Sequence, residues 1–236
     1  MDNYIEENKQ VYDLIADQFS STRDWLWDDL KPLKQYTRKG NTVLDIGCGN
    51  GRLYQMLADL SISYTGIDQS EGMIAEAKKR SPNLNFLVAE MTQLPIEDNS
   101  VDVIYTVATF HHLSDDTMRV KALEEMKRVL KSGGKIVMTN WNLHNDWVKK
   151  KIKEGKFEID SNDSRHIKIP WRTGDCKIWG WRNYWSFTMD ELKELFETAG
   201  FEVEEQYFTA DKTGRTDIEK GMNVVTVAVS GKQSKL

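Results

Sequence analysis

Residues 43–51 read Val43-Leu44-Asp45-Ile46-Gly47-Cys48-Gly49-Asn50-Gly51, an apolar run that gives way to three alternating glycines. The run 42–46 is short, β-branched and bounded by polar residues, as buried strands are, and a helical pattern follows it. The glycines therefore fall at a strand-to-helix turn, where they let the backbone bend tightly and approach a ligand that any Cβ would strike. Spacing separates the ligand classes. A dinucleotide loop, GxGxxG/A, needs a small residue at position 52 so that helix and strand pack closely. Position 52 is Arg52, and the third glycine comes one residue early, giving GxGxG behind the acidic Asp45.

Outward from this loop, similar strand-like runs occur at 63–67, 85–88, 101–107 and 135–140. Helical patterns lie between them. Ser70 caps one that runs to Arg80 and is stopped by Pro82, and 116–130 ends at Gly133-Gly134. Thr188 and Glu191 form a capping box for a helix to Ala199, with Gly200 as its stop. This alternation predicts an α/β fold with a parallel sheet covered on both faces. Two more strands are expected at 202–208 and 223–229. Residues 3–38 read as helices with Tyr4, Val11, Tyr12, Ile15 and Phe19 on one face.

At 236 residues the chain can bury a sizeable core, and its net charge of −5 argues against a uniformly basic nucleic-acid or membrane-surface protein. That charge is uneven. Residues 1–140 carry 16 basic and 21 acidic side chains, whereas 149–182 carry ten basic and five acidic ones. Six of the eight tryptophans fall within 141–185. Cys48 and Cys176 alone form neither a disulfide scaffold nor a CxxC pair. The first ten residues are acidic and polar, the reverse of a signal peptide, and no apolar run is long enough to span a membrane, so a cytoplasmic protein is expected.

The segment 45–51 resembles the first motif of the class I S-adenosylmethionine-dependent methyltransferases. The likeness continues through Gly66-Ile67-Asp68, Val88-Ala89-Glu90-Met91 with Leu94-Pro95, residues 101–112, and Leu130-Lys131-Ser132-Gly133-Gly134. It implies a Rossmann-like, seven-stranded α/β fold with an N-terminal helical lid, and S-adenosylmethionine as cofactor, released as S-adenosylhomocysteine. Gly47, Gly49 and Gly51 would then lie against the methionine part. Asp68 would take both ribose hydroxyls, since two acceptor oxygens suit two neighbouring O–H donors. Glu90, where the family usually has Asp, and Met91 would lie by the adenine. Asp45, Gln69 and Val107 complete the expected contacts, with Tyr12 and Phe19 either roofing the cofactor or forming only a buried stripe. His111 and His112, read as extended, point opposite ways and do not make a shared metal site, so none is expected.

Residues 106–111 lack the Asn/Asp-Pro-Pro-aromatic run of base-amine methylation. The flanks are more specific. Residues 11–23 with Trp27, then Ile169-Pro170-Trp171 and 182–187, resemble the tRNA wobble-uridine carboxymethyl methyltransferases, with Asn183, Trp185 and Ser186 departing from the pattern. That resemblance implies esterification of 5-carboxymethyluridine in tRNA, and a small zinc-binding activator docked on a sheet edge.

A carboxylate, with an ordinary pKa of about 4, is already a nucleophile at neutral pH and needs placement rather than a general base. An arginine fork suits two carboxylate oxygens, so Arg23 and Arg182 are the catalytic candidates, each able instead to hold the cofactor's own carboxylate. His112 either lies near the methyl centre or only packs. One domain is expected: a lid at 1–39, a cofactor core at 40–140, an acceptor-recognition insertion at 141–187, then a helix and two strands at 188–236. In the insertion, Lys149, Lys150, Lys151, Arg165, Lys168 and Arg172 are expected to meet phosphates, while Trp171 or Tyr184 stacks on an unstacked base. The competing account makes those lysines a solvated helix face and the tryptophans a cap. The rivals in function are a small-molecule O- or N-methyltransferase and a non-catalytic module of the same fold; the intact glycines and Asp68 argue against the latter.

Overall fold

The structure, a computed structural model, describes residues 4–172, 174, 177–210 and 214–231; Cys176 lies outside them. The chain opens with helix α1 (Tyr4–Thr22) and a 3-10 run over Asp28–Tyr36, then β1 (Thr42–Ile46), the single-turn α2 (Tyr54–Leu57) and β2 (Ser63–Asp68). It continues through α3 (Glu71–Arg80), β3 (Asn85–Val88), β4 (Val101–Val107), α4 (Asp116–Val129) and β5 (Leu130–Trp141). There follow α5 (Asp146–Lys153), β6 (Glu158–Ile159), β7 (His166–Arg172) and β8 (Ile178–Trp185). Helix α6 (Met189–Thr198), β9 (Phe201–Ala210), β10 (Gly214–Thr216) and β11 (Asn223–Ser230) complete it.

Side chains fix where helices begin. Ser70 Oγ accepts the Met73 N–H, Asp115 caps Met118, and Thr188 with Glu191 completes the expected capping box. Each cap satisfies a backbone donor that the first helical turn leaves open.

The sheet runs β10-β9-β11-β5-β4-β1-β2-β3. Strands β1 to β5 are parallel, and β11 is antiparallel to both β5 and β9. Seven of these match the expected strands. The three-residue β10 is an addition at the edge, and β6-β7-β8 form a separate antiparallel sheet. Helix α4 stops at Val129, and Gly133 and Gly134 lie inside β5 rather than at a helix end, where the β4–β5 register slips. One face of the large sheet buries Leu123 and Met126 of α4 with Leu192 and Phe196 of α6; the other buries Leu30, Leu33, Ile74 and Ala77. Strand order reverses at β1, which has β2 on one side and β4 on the other, so a crevice opens beyond their carboxyl ends.

Two further clusters close that crevice. Residues from 141–187 build a small core of their own, with Leu143, Val148, Phe157, Ile167 and Ile169 around Tyr184. Helix α1 lies between this unit and the cofactor side, burying Ile15 and Ala16 against Met73 and Trp171. Gly180 permits the contact with β8, because a Cβ there would meet Val11 Cγ2 at 2.7 Å. Two polar clamps fix α1 in place. Asp13 Oδ1 accepts from Ser70 Oγ at 2.6 Å and from the Gly72 N–H at 3.0 Å. The fully buried Asn8 takes the Asn183 N–H on Oδ1 at 2.7 Å and donates Nδ2 to the Asn183 carbonyl at 3.0 Å.

The Asn8→Ala variant leaves the buried Asn183 N–H without its acceptor, and should lose about 1–3 kcal/mol of stability in urea titration. A loss within error of zero would show that the clamp is incidental.

Candidate active site

The crevice is a cleft of about 1350 Å³, open mouth included. Of the expected cofactor contacts, Tyr12, Asp45, Gly47, Gly49, Asp68, Gln69, Glu90, Met91 and Val107 line it. Gly51 sits behind the wall, where a Cβ would meet the Phe86 ring at 2.9 Å, so its smallness serves packing. Arg23, Arg182, His112, Trp171 and Tyr184 are also brought to the cleft, whereas Lys149, Lys150, Lys151, Arg165, Lys168 and Arg172 are not.

The floor is the glycine loop. Gly47 has φ +70°, and a Cβ there would stand 2.2 Å from Thr109 Oγ1 and Cγ2. Thr109 is turned into this position by Ala108, a non-glycine residue at φ +54° whose N–H is held by the Thr139 carbonyl at 2.9 Å. Asp68 fastens the loop to β2. Its Oδ2 accepts the Gly49 N–H and its Oδ1 the Ser70 N–H, each at 2.9 Å. Each carboxylate oxygen keeps lone-pair capacity for a hydroxyl donor. Burial raises Asp68 to about 6. Burial also raises the neighbouring Asp45 to about 7, against the 2.6 Å bond it accepts from Tyr64 Oη.

The roof is cationic and aromatic. Arg182 is 6% exposed, has no hydrogen-bond partner on Nε, and lies 5.2–5.9 Å from the ring centres of Trp171, Tyr184 and Tyr12. Arg23 lies over Trp171 at 5.5 Å and is pushed down by burial and by Arg182. Arg52, the residue whose size sets this loop apart from a dinucleotide loop, also lines the cleft. None of the three arginines is in an ion pair among the described residues. Trp171 and Tyr184 are buried in the wall, with Trp171 Nε1 donating to Gln18 Oε1 at 2.6 Å.

His111 and His112 correct the extended reading. They lie in a 3-10 turn, Phe110–His112, with ring centres 4.6 Å apart. His111 is buried and its Nδ1 accepts the Trp141 N–H at 3.2 Å. His112 Nδ1 is 2.7 Å from the Asn183 carbonyl and 3.1 Å from Asn8 Nδ2; the shorter contact is to a group that can only accept, which places the proton on Nδ1 and leaves Asn8 Nδ2 to donate to the same carbonyl. Nε2 is then an acceptor for Tyr12 Oη at 3.1 Å. Burial and the nearby Arg182 push His112 down to about 4, so it is neutral at pH 7. Among the described residues no group of three or more His, Cys, Asp or Glu is placed to hold a metal.

In the insertion, Arg165 pairs with Glu191 and lies over Trp185, and Lys168 is 3.5 Å from Asp160. Lys149 and Lys150 are exposed on α5, Lys151 lies over Trp147, and Arg172 is at the exposed end of β7. These lie outside the cleft on the unit that supplies Arg182 and Tyr184 to it, and Lys149 and Lys150 also face acids, Asp146 at 3.4 Å and Glu154 at 3.9 Å.

Residues 44–138 match the methyltransferase domain family. A chain of Encephalitozoon cuniculi named as a methyltransferase is 31% identical over 196 residues, which are 82% of this chain and 86% of the relative. The chain belongs to the S-adenosylmethionine-dependent methyltransferases. A second relative, the Schizosaccharomyces pombe tRNA (carboxymethyluridine(34)-5-O)-methyltransferase, is 29% identical over 86% of this chain and 91% of its own length. This methyltransferase spans only 21–32% of the length of the Xenopus tropicalis, Arabidopsis thaliana and Mus musculus proteins of that name. A solved Haloferax volcanii methyltransferase, in complex with the Trm112 methyltransferase activator, shares the fold at a TM-score of 0.66 and 23% identity, covering 97% of this chain and 100% of that one.

The cleft suits the family's cofactor in chemistry as well as shape. Its floor has a glycine cradle that a Cβ would fill, and an aspartate with acceptor capacity stands at the end of β2. Two predictions follow from this floor. The Gly47→Ala variant imposes a strained φ and a clash with Thr109 worth about 1–3 kcal/mol, so calorimetry should show cofactor affinity falling about tenfold or more. Cofactor affinity should also drop about tenfold from pH 7.5 to pH 5, because Asp68, with its folded pKa raised to about 6, becomes mostly protonated and loses acceptor strength. The Asp68→Asn variant should abolish that pH dependence, and a slope that survives it would assign the titration elsewhere.

Proposed function

We propose that this methyltransferase esterifies the carboxymethyl group of 5-carboxymethyluridine at the wobble position of tRNA. The observation that carries the reading is Arg182, a nearly buried guanidinium that lines the cleft with aromatic rings around it and no carboxylate partner among the described residues. A buried cation without a counter-ion is costly, and an acceptor carboxylate held in its fork would offset that cost. The near full-length Schizosaccharomyces pombe relative bears the same activity in its name and supports the reading.

When bound, S-adenosylmethionine supplies an electrophilic methyl group on a sulfonium sulfur. The chain's part is placement. The glycine loop and Asp68 would hold the cofactor, Arg182 would fix the acceptor carboxylate, and the aromatic wall of Trp171, Tyr184 and Tyr12 would exclude water. Desolvating a carboxylate and fixing its direction is worth more here than a base, since no proton has to leave. His112 fits this chemistry as a neutral group that orients the Tyr12 hydroxyl rather than as a base.

The segment 141–187 is assigned to acceptor recognition, with Lys149, Lys150, Lys151, Arg165, Lys168 and Arg172 offering phosphate contacts outside the cleft. Trp171 and Tyr184 are assigned to the inner wall, where the modified base would enter. An edge of the large sheet, at β3 or β10, is the place proposed for a small activator of the kind bound by the Haloferax volcanii neighbour. No helix among the described residues is long and apolar enough to cross a membrane, and we place the reaction in the cytoplasm with its tRNA.

The test is incubation with methyl-labelled cofactor and tRNA bearing 5-carboxymethyluridine, followed by nucleoside mass spectrometry. Label should appear as the methyl ester, fall steeply with added salt, and drop about 10- to 100-fold in kcat/KM for Arg182→Gln. Label on a small acid or quinone, with unmodified tRNA, would replace this reading with a small-molecule methyltransferase.

A further inference from the structure

Three arginines, Arg23, Arg52 and Arg182, line one cleft, and two of them place a buried nitrogen against no hydrogen-bond partner: Arg52 Nη1 and Arg182 Nε. Like charges do not gather in a partly desolvated site unless anions belong among them. The reaction brings two carboxylates, one on the acceptor and one on the amino-acid part of the cofactor. They have to be kept apart, because the first must face the methyl group and the second must not.

We infer that Arg52 is the receptor for the cofactor's α-carboxylate, and that Arg182 is thereby left for the acceptor. Arg52 directly follows the glycine loop and reaches the cleft between Asn50 and Leu53, which also line it. Its guanidinium carbon lies over aromatic rings, 4.6 Å from the Trp27 centre and 6.0 Å from that of Phe19. A ring contact uses none of the guanidinium's N–H donors, Nη1 has no hydrogen-bond partner, and the fork of N–H groups is the part which matches a carboxylate. Asp45 is within electrostatic reach but forms no ion pair with Arg52, and its Oδ2 is taken by Tyr64. Burial and the charges of Arg23 and Arg80 depress Arg52 to about 10, a cost that an incoming carboxylate relieves. Arg182, by contrast, stands on β8 beside Tyr184 and Tyr12, on the unit assigned to the acceptor. The Arg52 assignment rests on the cofactor alone; only the role left to Arg182 rests on the tRNA reading.

The test is calorimetric binding of S-adenosylmethionine and of decarboxylated S-adenosylmethionine, which keeps the sulfonium, ribose, adenine and amine. The Arg52→Gln variant should weaken S-adenosylmethionine by about 10- to 100-fold, the range of a charge-assisted pair, and leave the decarboxylated compound unchanged. The Arg52→Lys variant should retain part of the preference. The Arg182→Gln variant should keep the full preference for the carboxylated compound. Equal weakening of both compounds in Arg52→Gln and Arg52→Lys, as a damaged fold would give, overturns the assignment. So does transfer of the carboxylate preference to Arg182. No acceptor is present, so failure here is separate from failure of the tRNA reading.

Discussion

The buried carboxamide of Asn8 holds both backbone groups of Asn183, at 2.7 and 3.0 Å, in the way a neighbouring strand would. The same Asn183 carbonyl also takes His112 Nδ1. One peptide group thus joins α1, the turn after β4 and the strand that carries Arg182 and Tyr184. At the other side of α1, Asp13 caps the start of α3 and fastens the helix to the cofactor half. Helix α1 is therefore more than a cover. It fixes the distance between the two walls of the cleft, and its interior face delivers Tyr12 and Phe19 to the space between them.

The charges inside this frame are sorted by layer. The floor carries Asp45 and Asp68, both with folded pKa values raised above the ordinary 3.8, to about 7 and about 6. Acids raised in this way contribute stability that is complete below their unfolded value and is lost as pH climbs through the folded one. At neutral pH the ligand-free floor therefore works against folding. The roof carries three arginines that form no ion pair among the described residues, and burial depresses Arg23 and Arg52. A chain that tolerates both costs is arranged around ligands that relieve them, and a zwitterionic cofactor with an anionic acceptor does so. Neutral His112 fits the same scheme, since a charged imidazole beside Arg182 would add to the strain.

Much of the cofactor half was legible in the sequence because it is local. A strand, three glycines and a cap residue are neighbours in the chain, and their chemistry follows from spacing. Asp68 was found because it ends the next strand. Three features were hidden for physical reasons. Asn8 is a polar residue that an apolar stripe of Tyr4, Val11, Tyr12, Ile15 and Phe19 does not mark, and its partner lies 175 residues away. Arg52 carried a visible signal, a cation directly behind a glycine loop, but its place in the cleft depends on stacking against Trp27 and Phe19. The histidine pair was read with strand geometry, whereas Phe110–His112 forms a 3-10 turn that follows the left-handed Ala108. The insertion shows the same limit from the other side. Its tryptophans and lysines were visible as a composition shift, yet only the fold separates the buried Trp171 and Tyr184 from the exposed lysines of α5.

The central claim is that the cleft holds two carboxylates on two different arginines, with the acceptor's on Arg182. The direct measurement is a crystal structure with S-adenosylhomocysteine and an anticodon stem-loop bearing 5-carboxymethyluridine. The account predicts the carboxymethyl group in the fork of Arg182, with a carboxylate oxygen facing the cofactor sulfur, and the cofactor carboxylate on Arg52. A carboxymethyl group outside the cleft, or both carboxylates on one arginine, would contradict it.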